Sequence, residues 1–221
     1  MGKMNPVLFA ALIGTLLLTL AACSDDNSTE PQVTVEPPPP TGDILMDEFI
    51  TALEEEDIAR LDWLVNEDFH MNILPATIND WAGGDHPLLV DYFDHDDFLE
   101  IHGNIFADST GLDPGGNPVP SITGISVDLM EKVTNWEPID PEMDYFGDIE
   151  GTYSSRWNVL IHFNLQGNSR FELNQQVFLL ARPVMVGEDS GWELVGIVPL
   201  GHNVGNMSET LWWDSVLALY R

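Results

Sequence analysis

Three long segments near the carboxyl end of the chain constrain the fold most. All three are rich in strand-forming residues, and the first alternates apolar and polar side chains with a period of two, as a β-strand with one buried face does. The connections between them, "NSR" and "EDS", are short, and connections of this length join antiparallel neighbours. The sequence therefore predicts two consecutive antiparallel hairpins. The segments are residues 156–167, 171–187 and 191–201.

Helical spacing of apolar residues dominates the stretch before these strands. Residues 43–68 predict a helix pair that begins at the cap Asp43 and bends sharply at residues 54–57. A further helix is predicted over residues 98–107, with Ile101, His102 and Ile105 on its apolar face. The remaining predictions are strands at 69–73 and 122–136, loops at 76–97, 108–121 and 138–154, and a final helix at 208–220 capped at Ser208.

This order of elements predicts an α+β fold, with helices packed on one face of a curved antiparallel sheet. Two stretches resemble the nuclear transport factor 2-like superfamily, which includes ketosteroid isomerase, scytalone dehydratase and polyketide cyclases. "FITALEEEDIARLDWLVNEDF", 49–69, is similar to its opening helix pair, and "QQVFLLARPVMVGEDSGWELVGIV", 175–198, to its closing hairpin. The resemblance implies a cone-shaped pocket between helices and sheet.

The amino terminus differs from the rest of the chain. Lys3 precedes an apolar run from Val7 to Leu20, which is too short for a comfortable membrane span and typical of a secretory signal. The run ends in "LAAC", which resembles the lipobox of bacterial lipoproteins. That resemblance implies cleavage before Cys23, lipidation of Cys23 and anchoring in the cell envelope. Ser24 then implies the outer membrane.

Three regions follow from these patterns: a signal peptide at 1–22, a lipidated tether at 23–42 and one α+β domain at 43–221. The tether is acidic and rich in Pro, Ser and Thr, so it cannot bury a core, and Pro37 to Pro40 should be extended polyproline. Cys23 is the only cysteine, which excludes an intramolecular disulfide.

The net charge of −30 excludes nucleic acid and anionic headgroups as partners of the domain. It leaves three explanations open: a solvated surface suited to salty surroundings, binding of divalent cations, or a basic partner. The membrane, through Cys23, is the predicted partner. A small molecule, an envelope protein and a second copy of the chain remain open.

The segment "FDHDDFLEIH", 93–102, concentrates acids and histidines. It fails the ligand spacing of an EF-hand, and His95 and His102 are too far apart to chelate zinc alone. The favoured interpretation is a helix capped by Asp97, with Glu100 completing a capping box. Loose calcium binding by four aspartates remains an alternative, but no metal or cofactor site is predicted. These are Asp91, Asp94, Asp96 and Asp97.

The predicted ligand pocket consists of His102, His162, His70 and Gln176. His102 lies on an apolar helix face, where it could act as an acid or base or serve as a core residue. The other three converge with it only if their strand faces point into the cone; otherwise they lie on the solvated outer face. The catalytic residues of ketosteroid isomerase cannot be placed on this sequence.

Three functions remain. The preferred hypothesis is a lipid-anchored envelope protein whose domain binds a small molecule or partner without catalysis. The second is a small isomerase, dehydratase or hydrolase, which needs a paired His or Asp inside the cone. The third is an interaction module that exposes Trp212 and Trp213; if the final helix packs on the domain, these tryptophans belong to the core.

Overall fold

The computed structural model describes residues 39–85, 87–139, 151–186, 189–203 and 211–221. The predicted signal peptide, nearly all of the tether and Ser208 lie outside the described residues. The helices are α1 Gly42–Glu54, α2 Ile58–Leu64, α3 Pro75–Trp81, α4 His95–Phe106 and α5 Trp213–Leu219. The strands are β1 Val65–Asn72, β2 Tyr92–Asp94, β3 Gly111–Leu112, β4 Pro118–Val119, β5 Ile122–Lys132, β6 Glu137–Pro138, β7 Tyr153–Leu165, β8 Ser169–Val186 and β9 Asp189–Asn203.

Seven strands form one curved, unclosed sheet in the order β2-β1-β9-β8-β7-β5, with β6 paired to β7. The two predicted hairpins, β7–β8 and β8–β9, are antiparallel and are confirmed. The turn between β7 and β8 uses positive φ angles at Gly167 and Asn168, two residue types that tolerate this conformation. All pairs in this sheet are antiparallel except β1–β9, which is parallel.

The core lies between the helices and one face of the sheet. Its apolar side chains come from both layers. Burying one large apolar side chain stabilises the folded state by roughly 1.5–3 kcal/mol. Phe49, Leu64, Ile161, Leu179 and Trp213 are among those with no exposed surface. The predicted α+β architecture, with helices on one face of a curved sheet, is therefore confirmed.

Several predicted boundaries are wrong for local reasons. The helix pair ends at Leu64, and β1 begins directly at Val65 because Phe69 and Met71 alternate into the core. The side chain of Thr41, and not of Asp43, caps α1 by accepting a hydrogen bond from the Ile44 amide.

The predicted loop at 76–97 instead contains α3, β2 and the start of α4. Pro75 occupies the first turn of α3, where its missing N–H costs nothing. The predicted final helix is also shorter than expected, since α5 begins only at Trp213. None of the described helices combines the length and apolar character needed to span a membrane.

Candidate ligand-binding site

His102 lies inside the domain, as its apolar helix face predicted. It has no exposed surface, and its ring contacts Phe98 at a centroid distance of 4.2 Å. Nδ1 donates to the Phe98 carbonyl at 2.8 Å, which leaves Nε2 without a partner among the described residues. Burial lowers the pKa of His102 to about 4, because the charged form cannot be hydrated there.

His162, His70 and Gln176 lie on the opposite face of the sheet from His102. Strand alternation explains this placement: the neighbours Ile161 and Phe163 point into the core, so His162 points away from it. Gln176 pairs with Asn158 on that outer face, and the His70 ring packs edge-on against Tyr92. The four predicted pocket residues therefore do not line a single pocket.

On the outer face, His162 is held between two carboxylates. Nε2 lies 3.0 Å from Glu172 Oε2, and Nδ1 lies 3.2 Å from Asp128 Oδ2. Arg170 also contacts Glu172, at 3.2 Å. These side-chain contacts join β5, β7 and β8 across the outer face of the sheet.

Apart from His102, the polar residues that fix the final helix inside the fold are ones the sequence did not single out. Gln175, and not Gln176, faces the core, and its Oε1 accepts from the Trp213 amide at 3.1 Å. Asp214 accepts from the Leu74 amide at 2.8 Å, and burial raises its pKa. These contacts hold α5 inside the domain, which makes Trp213 a core residue.

A separate cavity of about 350 Å³ is lined by none of these residues. It lies where α2, β1 and the start of α4 meet the paired strands β8 and β9. Charged and polar side chains dominate its wall, with one indole beside them. The lining residues are Asp62, Trp63, Val65, Asn66, Glu67, Asp68, His95, Arg182 and Glu193.

Hydrogen bonds across the strands hold the wall of this cavity in place. The Arg182 guanidinium donates to Asn66 Oδ1 at 2.6 Å and to Asp68 Oδ2 at 3.0 Å. Asn66 in turn donates to the Glu193 carboxylate. At the mouth, His95 Nε2 lies 3.3 Å from Asp62 Oδ1. The polar groups are thus fixed by partners on separate elements.

Four carboxylates and one guanidinium give the cavity an excess of negative charge. The carboxylates are those of Asp62, Glu67, Asp68 and Glu193. An indole face beside carboxylates suits an organic ammonium group, because the ring quadrupole and the carboxylates both attract a cation. Trp63 is the lining residue with an indole ring, and it is only partly buried.

Only one sequence signal pointed toward these cavity residues. Arg182 and Glu193 interrupt the apolar stretches 177–187 and 192–200, and a charge at such a position needs a partner. The partners come from β1, more than 110 residues away in the chain, as the Asn66–Glu193 and Asp68–Arg182 contacts show. A local pattern cannot reveal such a pairing.

The predicted cap at Asp97 is wrong. Asp94 caps α4 by accepting from the Asp97 amide at 2.9 Å, while Asp97 lies in the first turn. Burial and the nearby Asp94 charge raise the pKa of Asp97. Among the described residues, no group of three or more His, Cys, Asp or Glu side chains is arranged to hold a metal ion.

No protein-family model and no curated protein sequence matches this chain. Solved structures similar to it include a ketosteroid isomerase-like protein from Erwinia carotovora atroseptica, with 10% identity over 74% of this chain and 94% of that one, at a TM-score of 0.43. An NTF2-like protein of unknown function in nutrient uptake from Rhodospirillum rubrum has 10% identity over 71% and 94%, at 0.41. A hexachlorocyclohexane dehydrochlorinase from Novosphingobium barchaimii has 9% identity over 76% and 88%, at 0.42. These are similarities of fold to other proteins.

Proposed function

We propose that this chain is a lipid-anchored cell-envelope protein whose domain binds a small, positively charged organic molecule without transforming it. The cavity beside Trp63 carries the proposal, since it is large enough for a small molecule and four of its nine lining residues are carboxylates. The "LAAC" sequence supports the lipid anchor, and Ser24 supports placement in the outer membrane.

The positions of the titratable groups favour binding over catalysis. The interior groups His102 and Asp214 have no exposed surface, so a substrate reaches neither of them in this arrangement. In the cavity, Asn66 is hydrogen-bonded to both Arg182 and Glu193. Such a wall can select a ligand by charge and shape, which is what a binding site requires.

Calorimetric titration with defined probes tests this function. Spermidine and tetramethylammonium should bind, whereas the uncharged 1,4-butanediol should not. Replacing Asp62→Asn together with Glu193→Gln should weaken spermidine binding by about tenfold, since each partly exposed charge contributes up to about 1 kcal/mol.

The matched control is Asp80→Asn with Glu100→Gln, which removes the same charge from exposed sites outside the cavity. This variant should bind spermidine as the unchanged protein does. Equal weakening in both double variants would show that the probe follows net charge alone and would refute the cavity as the site.

A further inference from the structure

Four aromatic rings form a connected surface beside Pro39 and Gly42. The ring of Trp136 lies 6.3 Å from that of Trp157 and 5.9 Å from that of Trp192, between centroids. Tyr153 extends the group, at 5.1 Å from Trp192. We refer to these four residues as the aromatic surface.

The chain enters the domain across this surface. Pro39 is buried, and its carbonyl accepts a hydrogen bond from the Trp192 amide at 2.8 Å. Gly42 follows two residues after Pro40. The Trp136 ring lies so close to Gly42 that an added Cβ would stand 2.5 Å from ring atom Cε2. The Trp136 indole also donates to Asp43 Oδ1 at 2.9 Å. The entering segment is thus fixed at three successive points.

The sequence of the entering segment matches the chemistry of this surface. Residues 37–40 are four consecutive prolines, which favour a polyproline II helix and offer carbonyl acceptors but no amide donors. Aromatic grooves bind such helices because a preformed extended segment loses little entropy on docking. Trp157 is only 6% exposed, so its ring forms the buried part of the aromatic surface, and Trp136 packs against it.

We propose that the aromatic surface is a docking site for the chain's own polyproline segment, Pro37–Pro40. The free tether then runs only from Cys23 to Glu36, with a root-mean-square reach of about 20 Å. Docking also fixes the side of the domain from which the tether leaves. A lipid-anchored domain would therefore present the opposite side away from the membrane.

Hydrogen exchange at the Trp192 amide, resolved to the single residue in the full chain, tests the proposal. Replacing all four prolines by glycine (P37G, P38G, P39G and P40G) keeps the carbonyls but removes the preformed helix. Exchange at Trp192 should become at least about tenfold faster. The control Pro31→Gly alters the tether outside the docking segment and should leave this exchange rate unchanged.

A proline peptide added in trans distinguishes the occupants. The peptide EPPPPTG should restore slow exchange at Trp192 in the four-glycine variant and should shift the indole N–H resonance of Trp157. Slow exchange that persists in the variant without peptide would overturn the proposal. If the slow exchange at Trp192 in the variant then became faster on dilution of the protein, the surface would be assigned to a second copy of the chain.

Discussion

At the residue scale, the burial of His102 makes the stability of the domain depend on pH. Its pKa is about 4 in the folded protein and about 6.5 when exposed, so the unfolded state holds more protons between these values. The free energy of unfolding contributed by His102 is therefore complete above about pH 6.5 and is lost as the pH falls toward 4. The loss amounts to about 3 kcal/mol.

The variant His102→Gln should lack this contribution to the pH dependence while retaining a donor for the Phe98 carbonyl. Urea unfolding of both proteins at several pH values between 4 and 7 measures the difference. The excess unfolding free energy of the unchanged protein over His102→Gln should decrease as the pH falls. An excess that stays constant over this range would show that His102 is hydrated in the folded state.

At the element scale, Asp94 and Asp97 at the start of α4 have different roles. Asp94 caps the helix, whereas Asp97 lies in its first turn. Asp94→Ala removes the acceptor of the Asp97 amide and should destabilise the domain by about 1 kcal/mol. Asp97→Asn should not destabilise it, because the Asp97 carboxylate is partly buried and repelled by Asp94. Urea unfolding at pH 7 compares the two; a greater loss for Asp97→Asn would reverse the assignment of the cap.

The elements that the sequence predicted well are those defined by local periodicity. The hairpins β7–β8 and β8–β9 follow from strand-forming segments joined by short connections, and the first two helices follow from apolar spacing and the bend at residues 54–57. Helix α3 was missed because Pro75 and Gly83-Gly84 indicated breaks, although proline in a first turn is compatible with a helix.

The parallel strand pair and the cavity were missed for a different reason: both depend on residues that are far apart in the chain. The parallel pairing of β1 with β9 brings together residues such as His70 and Gly196, which share no local signal. The same pairing carries Asn66 to Glu193 and so builds part of the cavity wall. Alternation did establish that Gln175 and Gln176 face opposite ways, but only the packing of α5 decides which one is inside.

At the scale of the whole molecule, the charge of −30 determines how the protein can attach to a membrane. A surface this acidic is repelled by anionic headgroups, so the domain itself contributes no attraction to such a bilayer. Under the proposed lipid anchor, attachment would depend on the acyl chains at Cys23. Several acyl chains on one residue give stable anchoring, where a single chain would be marginal.

Replacing Cys23→Ser should therefore release the protein completely from the membrane. Partitioning of cell extracts between detergent and aqueous phases, together with metabolic labelling by a fatty acid, measures the effect. The unchanged chain should label and enter the detergent phase, whereas Cys23→Ser should do neither. Ser24→Ala serves as the matched control, because it changes the neighbouring residue while keeping the thiol that accepts the lipid. A Cys23→Ser chain that stayed in the detergent phase would place the attachment elsewhere in the molecule.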